Sequence, residues 1–317
     1  MLSLTSSTCR VTETEGNPPS LPIRLLSLGA GVPSTTLMLM AAHGEIGPMP
    51  DCAIFADTGS EPKAVYAHLE WLRSPNVLPV LIYIVSTGNI RDNLIEAAAG
   101  RRWASIPSFA KTVTPAGTEV PVLDEDKDSE LVEIATRRTW TEIISIGMIR
   151  RACTTDYKIV PIRRKVRELL GLTRKRSPAI LVAEQWIGIS LEEASRIKPN
   201  FEDWQVNRWP LIEKRMTRRD CLAWLLRHDY PEPPKSACIG CPFHDDARSR
   251  FMRDHDPAAW AYAVDIDDTL RTGLRGIRGA IYLHRSCIPL SQVDLSTAGD
   301  RGQLDLWPNE CEGMCGV

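Results

Sequence analysis

The stretch from Leu25 to Met40, Leu-Leu-Ser-Leu-Gly-Ala-Gly-Val-Pro-Ser-Thr-Thr-Leu-Met-Leu-Met, constrains the fold more than any other. An apolar run from Ile23 to Leu28 breaks into Gly29-Ala30-Gly31, and a second apolar segment follows Ser34 and Thr35. That pattern predicts a buried strand, a tight loop and a helix start. The glycines are expected to let the backbone turn sharply and approach a ligand. Ser34 is expected to cap the helix, whose N-terminal amides and positive dipole end suit a phosphate. A glycine turn between strand and helix is also common as a mere turn, so the rest of the chain must decide.

The pattern repeats downstream. Gly44, Gly47, Pro48 and Pro50 end the first helix. Cys52–Ala56 reads as a second buried strand closed by Asp57-Thr58-Gly59, and Lys63–Arg73 has helical spacing with Val65, Leu69 and Leu72 on one face. A third strand is expected at Val80–Val85 and a helix from Asn89 to Ala99. Such alternation implies an α/β fold with a doubly wound, mostly parallel sheet. Ligands of such sheets bind beyond the carboxyl ends of the strands, where Gly29–Ser34, Asp57–Gly59 and Ser86–Asn89 would sit.

Residues 104–146 break this rhythm. Pro107, Pro115, Gly117, Pro121 and the acidic run Asp124–Asp128 predict an exposed insertion, followed by a helix from Ser129 to Arg138. A basic helix is expected over Asp156–Leu170, a fourth strand at Ala179–Ala183, and helices at Thr217–His228, capped by Thr217, and Asp256–Leu270. The last 45 or so residues read as irregular and cysteine-bearing. The division expected is a disordered tail over 1–20, an α/β domain over 21–230 carrying the insertion, and a cysteine-rich, mostly helical C-terminal region over 231–317.

Composition excludes several classes. A formal net charge of -2 gives no bulk attraction to nucleic acid, although local patches are compatible with it. No apolar run approaches the roughly 20 residues needed to span a bilayer. The polar start, with Glu13, Glu15, Asn17, Pro18 and Pro19, lacks a signal-peptide core. A cytoplasmic protein is expected, in which nine cysteines serve as metal ligands, reactive thiols or buried apolar residues rather than a disulfide framework.

Gly29-x-Gly31-x-x-Ser34 supplies two-thirds of a dinucleotide fingerprint, with Asp57 where a ribose-binding acid belongs. Ser34 replaces the third glycine, and no lysine follows at a Walker position. Gly29-Ala-Gly31-Val-Pro-Ser34-Thr35 with Phe55-Ala-Asp57-Thr58-Gly59 instead resembles the PP-loop superfamily, in its phosphoadenosine phosphosulfate (PAPS) reductase-like branch. Gly188-Ile-Ser-Leu-Glu192-Glu193-Ala-Ser-Arg196, Trp209-Pro-Leu-Ile with Thr217-Arg-Arg-Asp220, and Pro231–Pro234 with Cys238-Ile-Gly-Cys241-Pro242-Phe243 are similar to three further family segments. The resemblance spans roughly residues 22–245 and is greatest to the PAPS reductase-like proteins often encoded by bacteriophages.

The resemblance implies an adenine nucleotide alpha-hydrolase-like fold. It places Ser27, Gly29, Gly31, Ser34 and Thr35 around phosphate or sulfate oxygens, with Asp57, Thr58, Gly59, Gly188, Glu192 and Arg196 completing an adenine-nucleotide site. Gly29 and Pro33 stand where many PP-loop ATPases carry a serine and an aspartate, which puts ATP cleavage in doubt while leaving nucleotide binding intact. Ser190 likewise replaces an arginine.

The cysteines form a second constellation. Cys238-x-x-Cys241 can place two thiolates on one metal centre, and the basic pair Arg150-Arg151 before Cys153 favours a thiolate there. Either zinc or an iron–sulfur cluster suits such ligands. The resemblance favours a [4Fe–4S] cluster on Cys153, Cys238 and Cys241, with a structural zinc knot as the alternative. Cys311 and Cys315 resemble a mobile catalytic tail, and Lys158 is expected to face substrate. Cys9 is expected to be a tail thiol, Cys52 and Cys221 apolar core positions, and Cys287 is undecided.

The expectation is therefore a PAPS reductase-like oxidoreductase or sulfurtransferase. Its substrate would be adenylyl sulfate, PAPS or ATP, with a sulfur donor or thiol reductant as partner and no membrane. Two alternatives stand beside it: a tRNA or DNA thiolation enzyme using the basic helix, and a non-catalytic nucleotide-binding module with a zinc knot.

Overall fold

The structure, a computed structural model, describes residues 23–125, 131–297, 299, 300 and 302. Its chain forms two compact units, residues 23–90 with 153–239, and residues 91–152 with 240–297. These bounds differ from a division at residue 230, because the insertion and the C-terminal helices fall in one unit.

In chain order the elements are β1 Ile23–Leu28, α1 Val32–Ala42, β2 Cys52–Asp57, α2 Lys63–Leu72, β3 Leu81–Ser86, α3 Ile90–Ala98, β4 Phe109–Thr114, β5 Glu119–Glu125, β6 Leu131–Arg138 and β7 Ile143–Met148. There follow a π-helical turn Thr155–Ile159 running into α4 Val160–Leu169, then β8 Ala183–Ile187, β9 Gln205–Arg208, α5 Pro210–Glu213, α6 Arg218–Arg227, α7 Asp246–His255, α8 Pro257–Arg271 and β10 Ala280–Tyr282.

The first unit is built on a five-stranded sheet of order β3-β2-β1-β8-β9, parallel throughout. Alternation along β1 sends Leu26 and Leu28 to one face and Leu25 to the other. On the first face they pack with Leu37 and Leu39 of α1, Leu69 of α2, and Trp224 and Leu225 of α6. On the second, Leu25 and Ile54 pack with Ile162 and Val166 of α4. Helices cover both faces, so the fold is the doubly wound α/β class expected. Helix α1 is buried along nearly its whole length, which explains its uninterrupted apolar sequence. Among the described residues no helix is long and apolar enough to cross a membrane.

The second unit holds an antiparallel sheet of order β10-β4-β7, a β5-β6 hairpin, and helices α7 and α8. The 104–146 segment carries strands, and Leu131–Arg138 is a strand paired antiparallel with β5, not part of a helix. Its Val132, Ile134 and Thr136 are β-branched and suit a pleated strand better than a helix. The last segment is likewise not wholly irregular, since Ala280–Tyr282 pairs with β4. In the first unit, the fourth strand lies at Ala183–Ile187 rather than Ala179–Ala183, because Ala183 is the residue that registers with Ile23.

Candidate nucleotide and thiol site

The order of the sheet reverses at β1: the chain runs outward through β2 and β3, then returns to the other side of β1 with β8. Such a reversal opens a crevice at the carboxyl ends of the two adjacent strands, where open α/β sheets bind ligands. The loops at this crevice are Gly29–Gly31 after β1 and Gly188–Ser190 after β8.

The second loop touches the first turn of α1. A Cβ on Gly188 would lie 2.6 Å from Ser34 Cα and 2.7 Å from Ser34 N, so only glycine fits there. The close helix–strand packing that a dinucleotide fingerprint obtains from its third glycine is thus obtained from Gly188 of a different strand. Within the first loop, the left-handed residue is Ala30 (φ 53°), not either glycine. Such a backbone costs a non-glycine residue roughly 1–2 kcal/mol.

Ser34 is not the helix cap. Gly31 holds that position, extended and without a side chain to offer. The Ser34 hydroxyl instead accepts from the Gly29 N–H at 3.2 Å and donates to the Gly31 carbonyl at 3.3 Å, closing the loop on itself. With no side-chain cap and no acid in the first turn, the start of α1 keeps the electropositive character of a helix N-terminus. Thr35 is fully buried, and its hydroxyl meets His68 Nε2 at 3.0 Å. Ser27 lies within β1, in register with Ile54 and Ile187.

The β2–α2 loop forms the next wall. Asp57 Oδ1 accepts from the Gly59 N–H and from the Tyr66 hydroxyl, each at 2.8 Å. Burial, together with the Asp57 carboxylate, holds the Tyr66 hydroxyl well above its ordinary range. Asn89 Nδ2 donates to the Gly59 carbonyl at 2.9 Å, and the Ile90 N–H donates to the Thr58 carbonyl at 2.9 Å. The β3 loop thereby fixes the β2 loop.

Cys238 is brought to this same wall. The Ile239 N–H donates to the Ser60 carbonyl at 2.8 Å, and Cys238 Sγ lies 3.4 Å from the Thr58 hydroxyl and 3.6 Å from Glu61 Oε1, to which it donates. Burial, then the Glu61 charge, pushes the Cys238 thiol up to about 12; Lys158 acts in the opposite direction. Without a cation to replace its proton, Cys238 is a neutral thiol at physiological pH. Cys153 opens the helix that carries Lys158 and is close enough to raise Cys238 further by its charge. Glu61 is buried, and its Oε2 lacks a hydrogen-bond partner. Cys238 and Glu61 are in contact, but among the described residues Cys153, Cys238 and Glu61 do not bring three donor atoms within 4.8 Å of one another. Cys241 belongs to the second unit.

Other expected site residues have defined partners of their own. Glu192 Oε1 accepts from the Arg218 N–H at 2.6 Å, at the start of α6. Arg196 is paired with Glu193, which also accepts from Ser190 at 3.3 Å. Along the basic helix, Arg163 pairs with Glu202 and Lys165 with Glu168, while Arg167 donates to the Leu172 and Lys175 carbonyls. Three of the basic side chains of that helix are thus engaged within the protein. Cys52, Cys221 and Cys287 are buried, and burial pushes Cys221 up to about 12 and Cys287 above its usual range. Cys9, Cys311 and Cys315 lie outside the described residues.

Glu61, Tyr66 and His68 were not expected from the sequence, whereas Asn89 lies in the Ser86–Asn89 loop that was. Glu61 alone had a signal, as an acid two residues beyond the turn in Asp57-Thr-Gly-Ser-Glu61.

No family model matches the sequence, and neither does any curated protein. Among solved structures, one that the chain is similar to is phosphoadenylyl-sulfate (PAPS) reductase from Candida auris, a phosphate complex. The TM-score is 0.38 and the identity 12%, covering 68% of this chain and 76% of that one.

Proposed function

We propose that the chain is an enzyme that binds an adenine nucleotide across the carboxyl edge of its parallel sheet and transfers or reduces a sulfur group carried by it. The observation that carries the reading is the sheet's order reversal at β1, with Gly188 seated on Ser34 and an uncapped helix start between them. Phosphate or sulfate oxygens would meet the first-turn amides of α1. Asp57, oriented by Tyr66 and the Gly59 N–H, would accept from a sugar hydroxyl, and Lys158 would offset negative charge.

The sulfur chemistry would fall to thiols outside the metal set, Cys311 and Cys315 by the resemblance, with Cys238 held beside Thr58 at the crevice. A thiolate attacking the sulfate sulfur forms an S–S bond and breaks the S–O bond to the nucleotide, releasing the nucleoside phosphate. A second thiol then displaces sulfite and leaves a disulfide, so a dithiol reductant supplies the two electrons. A [4Fe–4S] cluster or zinc on Cys153 and Cys238, with Cys241 as a further ligand by sequence spacing, would supply a cationic centre that holds the thiolates.

Calorimetry with adenylyl sulfate, PAPS and ATP, paired with a sulfite-release assay under a dithiol reductant, tests the proposal. Saturable binding of a sulfated nucleotide and reductant-dependent sulfite are expected. No binding of any of the three nucleotides refutes it. Anaerobic purification with iron and sulfide assays decides the cofactor, since a colourless protein with stoichiometric zinc contradicts the cluster.

A further inference from the structure

We propose that the first unit carries a divalent transition-metal site made of His43, Glu45 and His228, at the opposite end of α1 from the glycine loop. One donor atom from each residue lies within 4.8 Å of the others. Eleven helical residues separate this end from the loop, roughly 16 Å at the α-helical rise, so the site is distinct from the nucleotide crevice and owes nothing to that reading.

The backbone builds the site from two matching helix ends. His43 is the C-cap of α1; the Gly44 N–H returns to the Ala41 carbonyl and the Glu45 N–H to the Met40 carbonyl, a Schellman motif. His228 is the C-cap of α6, where the Asp229 N–H returns to Leu226 and the Tyr230 N–H to Leu225 in the same pattern. Gly44 (φ 75°) and Asp229 (φ 55°) take the left-handed position that each motif needs. The motif folds Glu45 and Tyr230 back beside the two histidines. Helices α1 and α6 pack together, and both C-termini present partial negative charge to this point, which favours a bound cation.

The side chains are oriented as metal ligands usually are. His228 Nδ1 sits 2.8 Å from the Trp224 carbonyl, so Nδ1–H donates there and Nε2 is left with its lone pair outward, 3.7 Å from Glu45 Oε1. The Tyr230 hydroxyl lies 2.8 Å from His43 Nε2. Trp224 Nε1 donates to both Glu45 oxygens at 3.0 Å, fixing the carboxylate, and its ring stacks on His228 at 4.0 Å between centroids. Ligands of a tetrahedral ion stand roughly 3.3 Å apart, so closure requires side-chain shifts of about 1 Å. Two imidazoles and one carboxylate with the remaining positions open to water suit Zn²⁺, Ni²⁺ or Co²⁺ rather than Mg²⁺ or Ca²⁺, which prefer all-oxygen sets.

Equilibrium dialysis of the full-length, reduced protein against Ni²⁺ tests this, comparing wild type with H228Q and E45Q. Because the cysteines also take Ni²⁺, the readout is the difference between proteins. Wild type is expected to hold one more equivalent than H228Q, and E45Q to bind that equivalent at least about tenfold more weakly. Filling the site should quench a tryptophan signal that W224F lacks. Equal stoichiometry and affinity in wild type, H228Q and E45Q would overturn the proposal. Should H228Q fail to fold, the exposed Glu45 decides alone: an E45Q titration superimposing on wild type refutes the site.

Discussion

Individual residues at the crevice are held by few, identifiable contacts, and each makes a testable difference. Replacing Gly188 with alanine puts a methyl group inside the backbone of Ser34. G188A is expected to lose at least about tenfold in nucleotide affinity and roughly 1–3 kcal/mol in stability, read by calorimetry and thermal melting. A variant that binds like wild type would show that the contact of Gly188 with Ser34 does not shape the site. Behind the loop, burial lowers His68 from 6.5 to about 4. The unfolded chain therefore takes up this proton first. Stability from His68 is complete above about pH 6.5 and is lost as pH falls toward 4, in total by roughly 3 kcal/mol. Melting temperatures should decline over that window and decline less in H68Q; identical slopes would show that His68 does not control it.

Elements in this chain differ in how far local chemistry accounts for them. Helix α6 starts where its sequence says it should. Thr217 accepts from the Asp220 N–H at 3.1 Å while Asp220 accepts from the Thr217 N–H at 2.9 Å, a reciprocal capping box. T217A is expected to cost about 1 kcal/mol in denaturant unfolding, whereas T217S should be close to neutral. Helix α8 depends instead on a buried charge. Asp267 is 0% exposed, pairs with Arg271, and accepts from the Leu283 and Leu290 N–H groups at 2.7 and 2.9 Å. D267A leaves those two N–H groups without their acceptor and Arg271 without its buried counter-charge, and a loss of about 3–5 kcal/mol is expected. Hydrogen exchange should report it as faster exchange at Leu283 and Leu290; unchanged protection there would argue against the carboxylate as the organiser.

At the scale of the whole molecule, the order β3-β2-β1-β8-β9 gathers loops that are far apart in sequence. Photolabelling with an azidoadenine nucleotide should mark peptides containing residues 29–34, 57–61, 86–89 and 188–190. Labelling confined to residues 43–51 or 73–80, at the other ends of the strands, would contradict the proposed crevice. Much of this plan was legible beforehand. The run Ile23–Leu28, the break at Gly29-Ala-Gly31 and the apolar segment from Leu37 encode strand, loop and helix locally, as Thr217 and Asp220 encode the start of α6. What escaped was everything requiring a distant partner. Leu131–Arg138 is a strand because β5 lies beside it, and Ala183 rather than Ala179 begins β8 because Ile23 selects it. Glu61 meets Cys238, and His43 meets His228, across more than a hundred and fifty residues of chain. The sequence by itself determined the alternation of elements and the glycine loop, because hydrophobic period and turn chemistry act over a few residues. Tertiary structure alone decided register, the seat of Gly188 on Ser34 and the grouping of thiol, carboxylate and imidazole, because those depend on which chain segments the core brings side by side.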